Sequence, residues 1–471
     1  MFDYDVVVIG AGTGGLTVAK LTAKARRRVL LIEREKPGGD CLWTGCVPTK
    51  ALIECARRYH EARTSAVFGV TTENVRFDFD AVRRYISEAQ RQAGEVDSPD
   101  TIRDAGVEFV GSEASFVDAH TVAVAGRRVT ATNVVIATGG EPSIAGIPGL
   151  REAAPDTNVE ALSWESLPGS LCIIGGGPIG IEFAQALGRI GVRVTVIEAA
   201  ARILEREDEK ASTLITGVLE REGVSVIAGA AVASVEREGE RRRVRFGRAG
   251  RDEMVECDRI LVATGRRAEL ASLQLRRAGV SYTPHGITVD AGLHTSQQNI
   301  FAVGDVVGGY QFTHVAEAQG RLVANIIKGG RIGRRFQKWS DRVVPRVTYT
   351  DPEVAAVGLG EMEARKRYGG VRAWELPLTA VDRAIVMGTT EGYLKLITAP
   401  AWERWLPPLR SIAGDQIVGA SLVAPHAGDL LPPIVNAMKL RLPIGLLALS
   451  MQAYPTLALG VRQVAGLPFD A

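Results

Sequence analysis

Two stretches decide how this chain folds: Asp5-Val-Val-Val-Ile-Gly-Ala-Gly-Thr-Gly-Gly15 and Leu171-Cys-Ile-Ile-Gly-Gly-Gly-Pro-Ile-Gly180. Each is followed by a helical stretch and then by a second β-branched run, Arg28-Val-Leu-Leu-Ile-Glu33 and Arg193-Val-Thr-Val-Ile-Glu198. From first glycine to strand-ending glutamate the spacing is 23 residues in both copies. The apolar runs read as strands buried on both faces. Gly10 and Gly175 permit a tight turn, and Gly12 and Gly177 let backbone approach a pyrophosphate. Gly15 and Gly180 let the following helix pack close to its sheet. The helix N-terminus then offers unpaired N–H groups to phosphate, and Glu33 and Glu198 fall where a carboxylate meets an adenosine ribose. A single glycine-rich turn is weak evidence. Two, each between a strand and a helix with its acid at the same distance, predict two bound dinucleotides. One is expected to be a flavin and the other a nicotinamide, because a bound flavin needs an electron source.

The second site can be typed further. A 2′-phosphate would need a positive group near the end of the second strand. Here Glu198 is followed by three alanines and only then by Arg202. NADH is therefore favoured over NADPH, with Arg202 the residue that could reach over and reverse this.

Between the first repeat and the next helical run lies Gly38-Gly-Asp-Cys-Leu-Trp-Thr-Gly-Cys-Val-Pro-Thr-Lys50. Pro48 suits a first helical turn, and the run from Ala51 to Tyr59 reads as helix. Cys46 is thus expected near a helix N-terminus, where the dipole favours thiolate, with the positive Lys50 one turn on. Zinc would need two more ligands at motif spacing, and none follow. A structural disulfide does not suit a reducing compartment, and the flanking glycines argue against two inert buried thiols. Cys41 and Cys46 read as a redox pair. Cys55, Cys172 and Cys257 read as isolated buried thiols.

The 471 residues suggest two to four domains. Fifty-six basic and 54 acidic residues leave a net charge of +2, which gives no reason to expect nucleic acid as a partner. The first residues enter a strand at once, without the pattern of a signal peptide. The apolar stretch from Leu442 to Leu449 is too short for a transmembrane segment. A cytoplasmic location is expected, with no metal site.

These residues resemble the flavoprotein disulfide reductases, the family of dihydrolipoamide dehydrogenase, glutathione reductase and mercuric reductase. The resemblance runs through Ala137-Thr-Gly-Gly140, Ala263-Thr-Gly-Arg266, Phe301-Ala-Val-Gly-Asp-Val306, Val344-Pro-Arg-Val-Thr-Tyr-Thr-Asp-Pro-Glu353 and Pro425-His-Ala-Gly-Asp429. It implies an α/β fold of two Rossmann-like dinucleotide-binding domains and a C-terminal α+β dimerisation domain, assembled as a homodimer. The FAD domain would be residues 1–148 and 273–338, the NAD domain 149–272, and the interface domain 345–471. Carried over by position, Glu33, Ala114, Thr138, Gly139, Asp305 and Thr313 would lie along FAD, and Gly265 along NAD. Lys50 would pair with Glu182 near the flavin ring. Cys46 would be the sulfur next to the flavin and Cys41 the one that exchanges with substrate. NADH would reduce FAD, and the flavin would reduce the Cys41–Cys46 pair.

One departure bears on the acceptor. The family's disulfide reductases place a His-Pro-Thr motif, followed by a Glu, across the dimer interface as an acid–base. Here the same place reads Ala453-Tyr-Pro-Thr-Leu-Ala-Leu-Gly460, so Tyr454 replaces the His and Leu459 the Glu. The histidines, at 60, 120, 285, 294, 314 and 426, offer no near neighbour in sequence to take over. Tyrosine titrates near ~10 and is a poor base at neutral pH, so weak turnover of dihydrolipoamide or glutathione disulfide is expected. A tyrosine near this position also occurs in mercuric reductases, although their C-terminal cysteine pair has no counterpart after Cys257. Asp40 and Trp43, where Thr and Asn are usual, fit a mercuric-reductase-like subgroup. The expected acceptor is a small-molecule or protein disulfide, a metal ion or a quinone. The alternatives are an ordinary dihydrolipoamide dehydrogenase and, from another class, a redox-responsive flavoprotein that signals by binding. A Trp402- and Trp405-bearing segment from Pro400 to Pro408 reads as an enlarged hairpin loop, self-packed or a docking surface.

Overall fold

The computed structural model describes residues 2–400 and 413–469. The segment carrying Trp402 and Trp405 lies outside them, as do Met1 and the last two residues.

The first repeat forms β1 (Tyr4–Ile9), α1 (Thr13–Lys24) and β2 (Val29–Glu33). With β3 (Val107–Gly111), β4 (Ala114–Phe116), β5 (Thr121–Val124) and β6 (Arg127–Ile136) they build a sheet of order β3-β2-β1-β6-β5-β4. The β1, β2 and β3 pairings are parallel, and Val6, Val7 and Val8 are wholly buried, as a strand covered on both faces requires. β6 is long enough to serve two sheets' worth of partners. Its first half runs antiparallel to β5 and its second half parallel to β1.

The second repeat gives β7 (Ser170–Ile174), α5 (Pro178–Arg189) and β8 (Arg193–Glu198), extended by β9 (Ser225–Ala228). Three antiparallel strands follow: β10 (Ala230–Glu238), β11 (Arg241–Arg248) and β12 (Arg251–Cys257). β13 (Arg259–Val262) then returns beside β7, so the parallel order is β9-β8-β7-β13. After this excursion the chain re-enters the first sheet: β14 (Ile300–Ala302) pairs in parallel with β6.

Between the repeats and around them run α2 (Gly39–Trp43), α3 (Cys46–Thr64), α4 (Phe79–Gly94), α6 (Glu209–Arg221) and α7 (Thr313–Phe336). α7 packs along α1. The remainder is an antiparallel sheet of order β15-β16-β19-β18-β17, built from Pro345–Thr348, Glu353–Gly358, Gln416–Ala424, Tyr393–Ala399 and Arg372–Pro377 respectively. α8 (Ala427–Leu440) and α9 (Leu457–Gly466) cover one face, where Leu394, Leu396, Leu422 and Ile434 are fully buried. The stretch from Leu442 to Leu449 contains only the short helix Ile444–Ala448. No helix among the described residues is long and apolar enough to cross a membrane.

The three cysteines read as isolated need correction. Cys55 is only half-buried on α3. Cys172 and Cys257 are buried but not isolated: they lie in one core cluster, and each thiol shifts the other's pKa, Cys172 upward and Cys257 downward. β7 and the end of β12 are 85 positions apart, so sequence proximity gave no sign of this meeting.

Candidate active site

The two glycine turns have the same construction. Gly10 (φ 103°) and Gly175 (φ 113°) adopt a left-handed conformation, and a Cβ there would sit 2.3 Å from the Ala137 carbonyl or 2.5 Å from that of Ala263. A Cβ on Gly15 or Gly180 would lie 1.9 or 2.1 Å from the carbonyl of the turn glycine, so only glycine permits this helix approach. At Gly12 and Gly177 a Cβ would meet nothing within 4 Å. That open space lies at the N-termini of α1 and α5, where backbone N–H groups face outward. Both acids are held at the strand ends by backbone donors. Glu33 accepts from the N–H groups of Ala11 and Glu35 at 2.7 and 2.9 Å, and Glu198 from those of Gly176 and Ala200 at 2.5 and 2.6 Å.

One continuous cleft of about 3290 Å³ joins both turns. That is several times a small-ligand pocket, which reaches roughly 1,000 Å³, and it has room for two dinucleotides. Thr138, Gly139, Asp305 and Thr313 line it beside Glu33, and Gly265 lines it beside Glu198. Ala114 does not: its side chain is buried in the core with Phe116 and Val122. Burial pushes the Asp305 carboxyl up, while Arg266, which contacts both Asp305 and Asp40, opposes the rise.

The dithiol sits on the floor of this cleft. Cys41 lies within the single turn of α2, and Cys46 is the first residue of α3, so the helix begins at the sulfur itself. The loop between them is pinned from outside. Gln90 of α4 donates to the Trp43 carbonyl at 2.8 Å, and Asn158 donates to that of Thr44 at 2.6 Å. The Cys46 thiol is lowered to about 6, chiefly by the hydrogen bond from Cys41. The Thr313 hydroxyl, 3.6 Å away, and the charge of Lys50 act in the same direction, while burial and Glu182 oppose. The Cys41 thiol is pushed well up, because it is the partner that keeps its proton, and burial adds to this. At neutral pH the reduced pair is one thiolate and one thiol.

Lys50 reaches Glu182 of α5 at 2.7 Å, with the Glu182 side chain only 6% exposed. Burial works against the Lys50 ammonium, but Glu182 and the Cys46 thiolate overcome it and raise its pKa. The other Glu182 oxygen accepts from the Tyr349 backbone N–H at 2.8 Å, and the Tyr349 ring lies 4.7 Å from the Lys50 nitrogen. Sequence reasoning missed Tyr349. It stands in a quoted motif, but nothing in a linear pattern says that its ring caps a lysine 299 positions earlier.

Tyr454 is 71% exposed and is absent from the cleft lining within one chain, and the nearby Asp382 carboxylate raises its pKa. Leu459 has its backbone N–H capped by Thr456 at the start of α9. Among the described residues no cluster of three or more His, Cys, Asp or Glu could hold a metal ion. His314, in sequence only one of the histidines distant from Tyr454, follows Thr313 in the cleft; its Nε2 donates to the Pro345 carbonyl at 2.9 Å, and its ring stacks on Phe312.

Two nucleotide turns joined by one cleft to a thiolate–thiol pair define a flavin- and nicotinamide-dependent oxidoreductase. Residues 4–320 match the model of the pyridine nucleotide-disulphide oxidoreductase family, and residues 344–465 match that family's dimerisation domain. The chain belongs to this family and is an FAD-dependent oxidoreductase of the disulphide type. It is 33% identical to a mercuric reductase of Bacillus cereus over 470 residues, covering 100% of this chain and 72% of that protein. It is also 33% identical to the dihydrolipoyl dehydrogenase of Geobacillus stearothermophilus over 462 residues, covering 97% and 94%. A solved structure of the HOCl-induced flavoprotein disulfide reductase RclA from Escherichia coli, as a Cu(II) complex, matches with a TM-score of 0.84 at 28% identity. It covers 99% of this chain and 100% of that one.

Proposed function

We propose that the protein uses NADH to reduce a thiophilic metal ion held by Cys41 and Cys46. The observation that carries this reading is the pair itself, a Cys46 thiolate beside a Cys41 that keeps its proton, with no histidine hydrogen-bonded to either sulfur among the described residues. Exchange with a disulfide needs that proton removed and a leaving thiolate protonated, steps worth on the order of a hundred- to ten-thousand-fold when assisted. A soft cation instead displaces the thiol proton as it binds and suits paired sulfur ligands. Mercuric reductases among the relatives and the Cu(II) complex of RclA are in keeping with a metal acceptor, alongside dihydrolipoyl dehydrogenases that match at the same identity.

Residues 1–148 with 273–338 form the FAD-binding unit, 149–272 the NAD-binding unit and 345–471 the interface of a homodimer. Gly10, Gly12, Gly15, Glu33, Thr138, Gly139, Asp305 and Thr313 hold FAD; Gly175, Gly177, Gly180, Glu198 and Gly265 hold the nicotinamide nucleotide. Bound FAD supplies the two-electron relay between nicotinamide and dithiol. NADH is favoured because Glu198 occupies the strand end and Arg202 is engaged, donating to the carbonyls of Leu204 and Glu205. Each NADH consumed gives up a hydride and releases one proton, and two electrons reduce one Hg(II) to Hg(0) or two Cu(II) to Cu(I).

The test is NADH oxidation by the FAD-loaded enzyme with thiol-complexed Hg(II), Cu(II), lipoamide and glutathione disulfide, repeated with Cys41→Ser and Cys46→Ser. Metal-dependent turnover that both substitutions abolish supports the reading. Turnover of lipoamide at ordinary enzymatic rates, or metal reduction unaffected by either substitution, refutes it.

A further inference from the structure

Away from the dithiol, one ionic pair in the cleft is unfinished. Glu207, in the loop after β8, meets Arg346 of β15 through Oε1 and Nε at 2.7 Å. The Glu207 side chain is 8% exposed, and its Oε2 is buried without a hydrogen-bond partner. Among the described residues the two terminal nitrogens of Arg346 also make no hydrogen bond. Both side chains line the cleft. A buried carboxylate oxygen left bare costs more than an ordinary hydrogen bond returns, so this corner is built for a ligand with both a donor and an acceptor.

Its position says which part of the ligand arrives there. The loop bearing Glu207 folds over the second glycine turn: Glu207 N–H donates to the Leu204 carbonyl, and Leu204 N–H to that of Gly176. Arg346 stands between two residues that touch the redox centre. Pro345 accepts from His314, next to Thr313 on Cys46, and Tyr349 donates to Glu182. The pair therefore lies toward the reactive end of the dinucleotide, beyond the pyrophosphate and away from the adenosine end marked by Glu198. A phosphate would satisfy Arg346 but be repelled by Glu207. A primary carboxamide satisfies both.

We propose that Glu207 and Arg346 read the carboxamide of the nicotinamide, Arg346 donating to its carbonyl oxygen and Glu207 Oε2 accepting from its amide N–H. This rests on the reading that the second turn takes NADH. It makes the pair a specificity device for the intact nicotinamide, supplied jointly by the nucleotide-binding and C-terminal regions of the chain.

The test is calorimetric binding of NAD⁺ and of 3-acetylpyridine adenine dinucleotide, which keeps the carbonyl but has a methyl in place of the amide nitrogen, to the oxidised FAD-loaded enzyme. The wild type is expected to prefer NAD⁺ by on the order of tenfold or more, the worth of a hydrogen bond to a charged group. Glu207→Gln keeps the contact to Arg346 but presents an N–H, so the preference should fall to near unity. Arg346→Met should weaken both dinucleotides alike. A wild-type preference near unity overturns the inference whatever the variants do. Equal weakening of both dinucleotides by Glu207→Gln also overturns it, since that is the signature of a ribose hydroxyl. Failure of the wild type to bind either dinucleotide would instead sink the nicotinamide reading itself.

Discussion

Replacing Cys41 separates the sources of the Cys46 thiolate. The hydrogen bond from Cys41 is the largest cause of the lowered Cys46 pKa, ahead of Thr313 and Lys50. A hydrogen bond to a charged group contributes roughly 1.5–3 kcal/mol, and one pKa unit corresponds to about 1.4 kcal/mol. Cys41→Ala should therefore raise Cys46 from about 6 by roughly one to two units, with Thr313 and Lys50 retaining the rest. Cys41→Ser keeps an O–H donor and should leave the midpoint near its wild-type place. The assay is the pH dependence of alkylation of the reduced protein, read at the Cys46 peptide by mass spectrometry. Reactivity should rise with pH through the midpoint, because the thiolate is the nucleophile, and vanish below it. In the wild type, half-maximal reactivity should fall near pH 6. An unchanged midpoint in Cys41→Ala, or equal shifts in the Ala and Ser variants, would refute the hydrogen-bond explanation.

Tyr349→Leu removes the ring over Lys50, a contact worth up to roughly 2 kcal/mol, and should slow NADH-driven flavin bleaching in stopped flow; Tyr349→Phe should behave as wild type. Gly180→Ala places a methyl 2.1 Å from the Gly175 carbonyl, and should lower the melting temperature and weaken NAD⁺ binding. Gly177→Ala, with open space around it, should leave melting unchanged and weaken only binding. Glu198→Ala removes the carboxylate at the end of β8, so the ratio of NADH to NADPH affinity should fall toward unity by direct titration. Arg189→Met breaks a buried guanidinium that holds Glu222 and Asp351 at 2.6 and 3.0 Å; chemical denaturation should show a loss of about 3–5 kcal/mol.

The duplicated nucleotide unit, the redox character of Cys41 and Cys46, and the missing histidine at Tyr454 were legible in the linear chain. Each is written in contiguous residues, because a strand–turn–helix binds phosphate with its own backbone and a helix polarises the thiol at its own first turn. Pro48 and the run after Ala51 signalled the helix, while its start at Cys46 emerged only in the folded chain. Folding alone brings together Tyr349 and Lys50, Arg346 and Glu207, Arg266 with Asp40 and Asp305 around the cleft, and Cys172 with Cys257 in the core. These contacts join positions tens to hundreds of residues apart, brought together by the packing of separate sheets. No periodicity or local spacing encodes such a meeting, and the raised pKa of Lys50, set by Glu182 132 positions away, follows from one of the same kind.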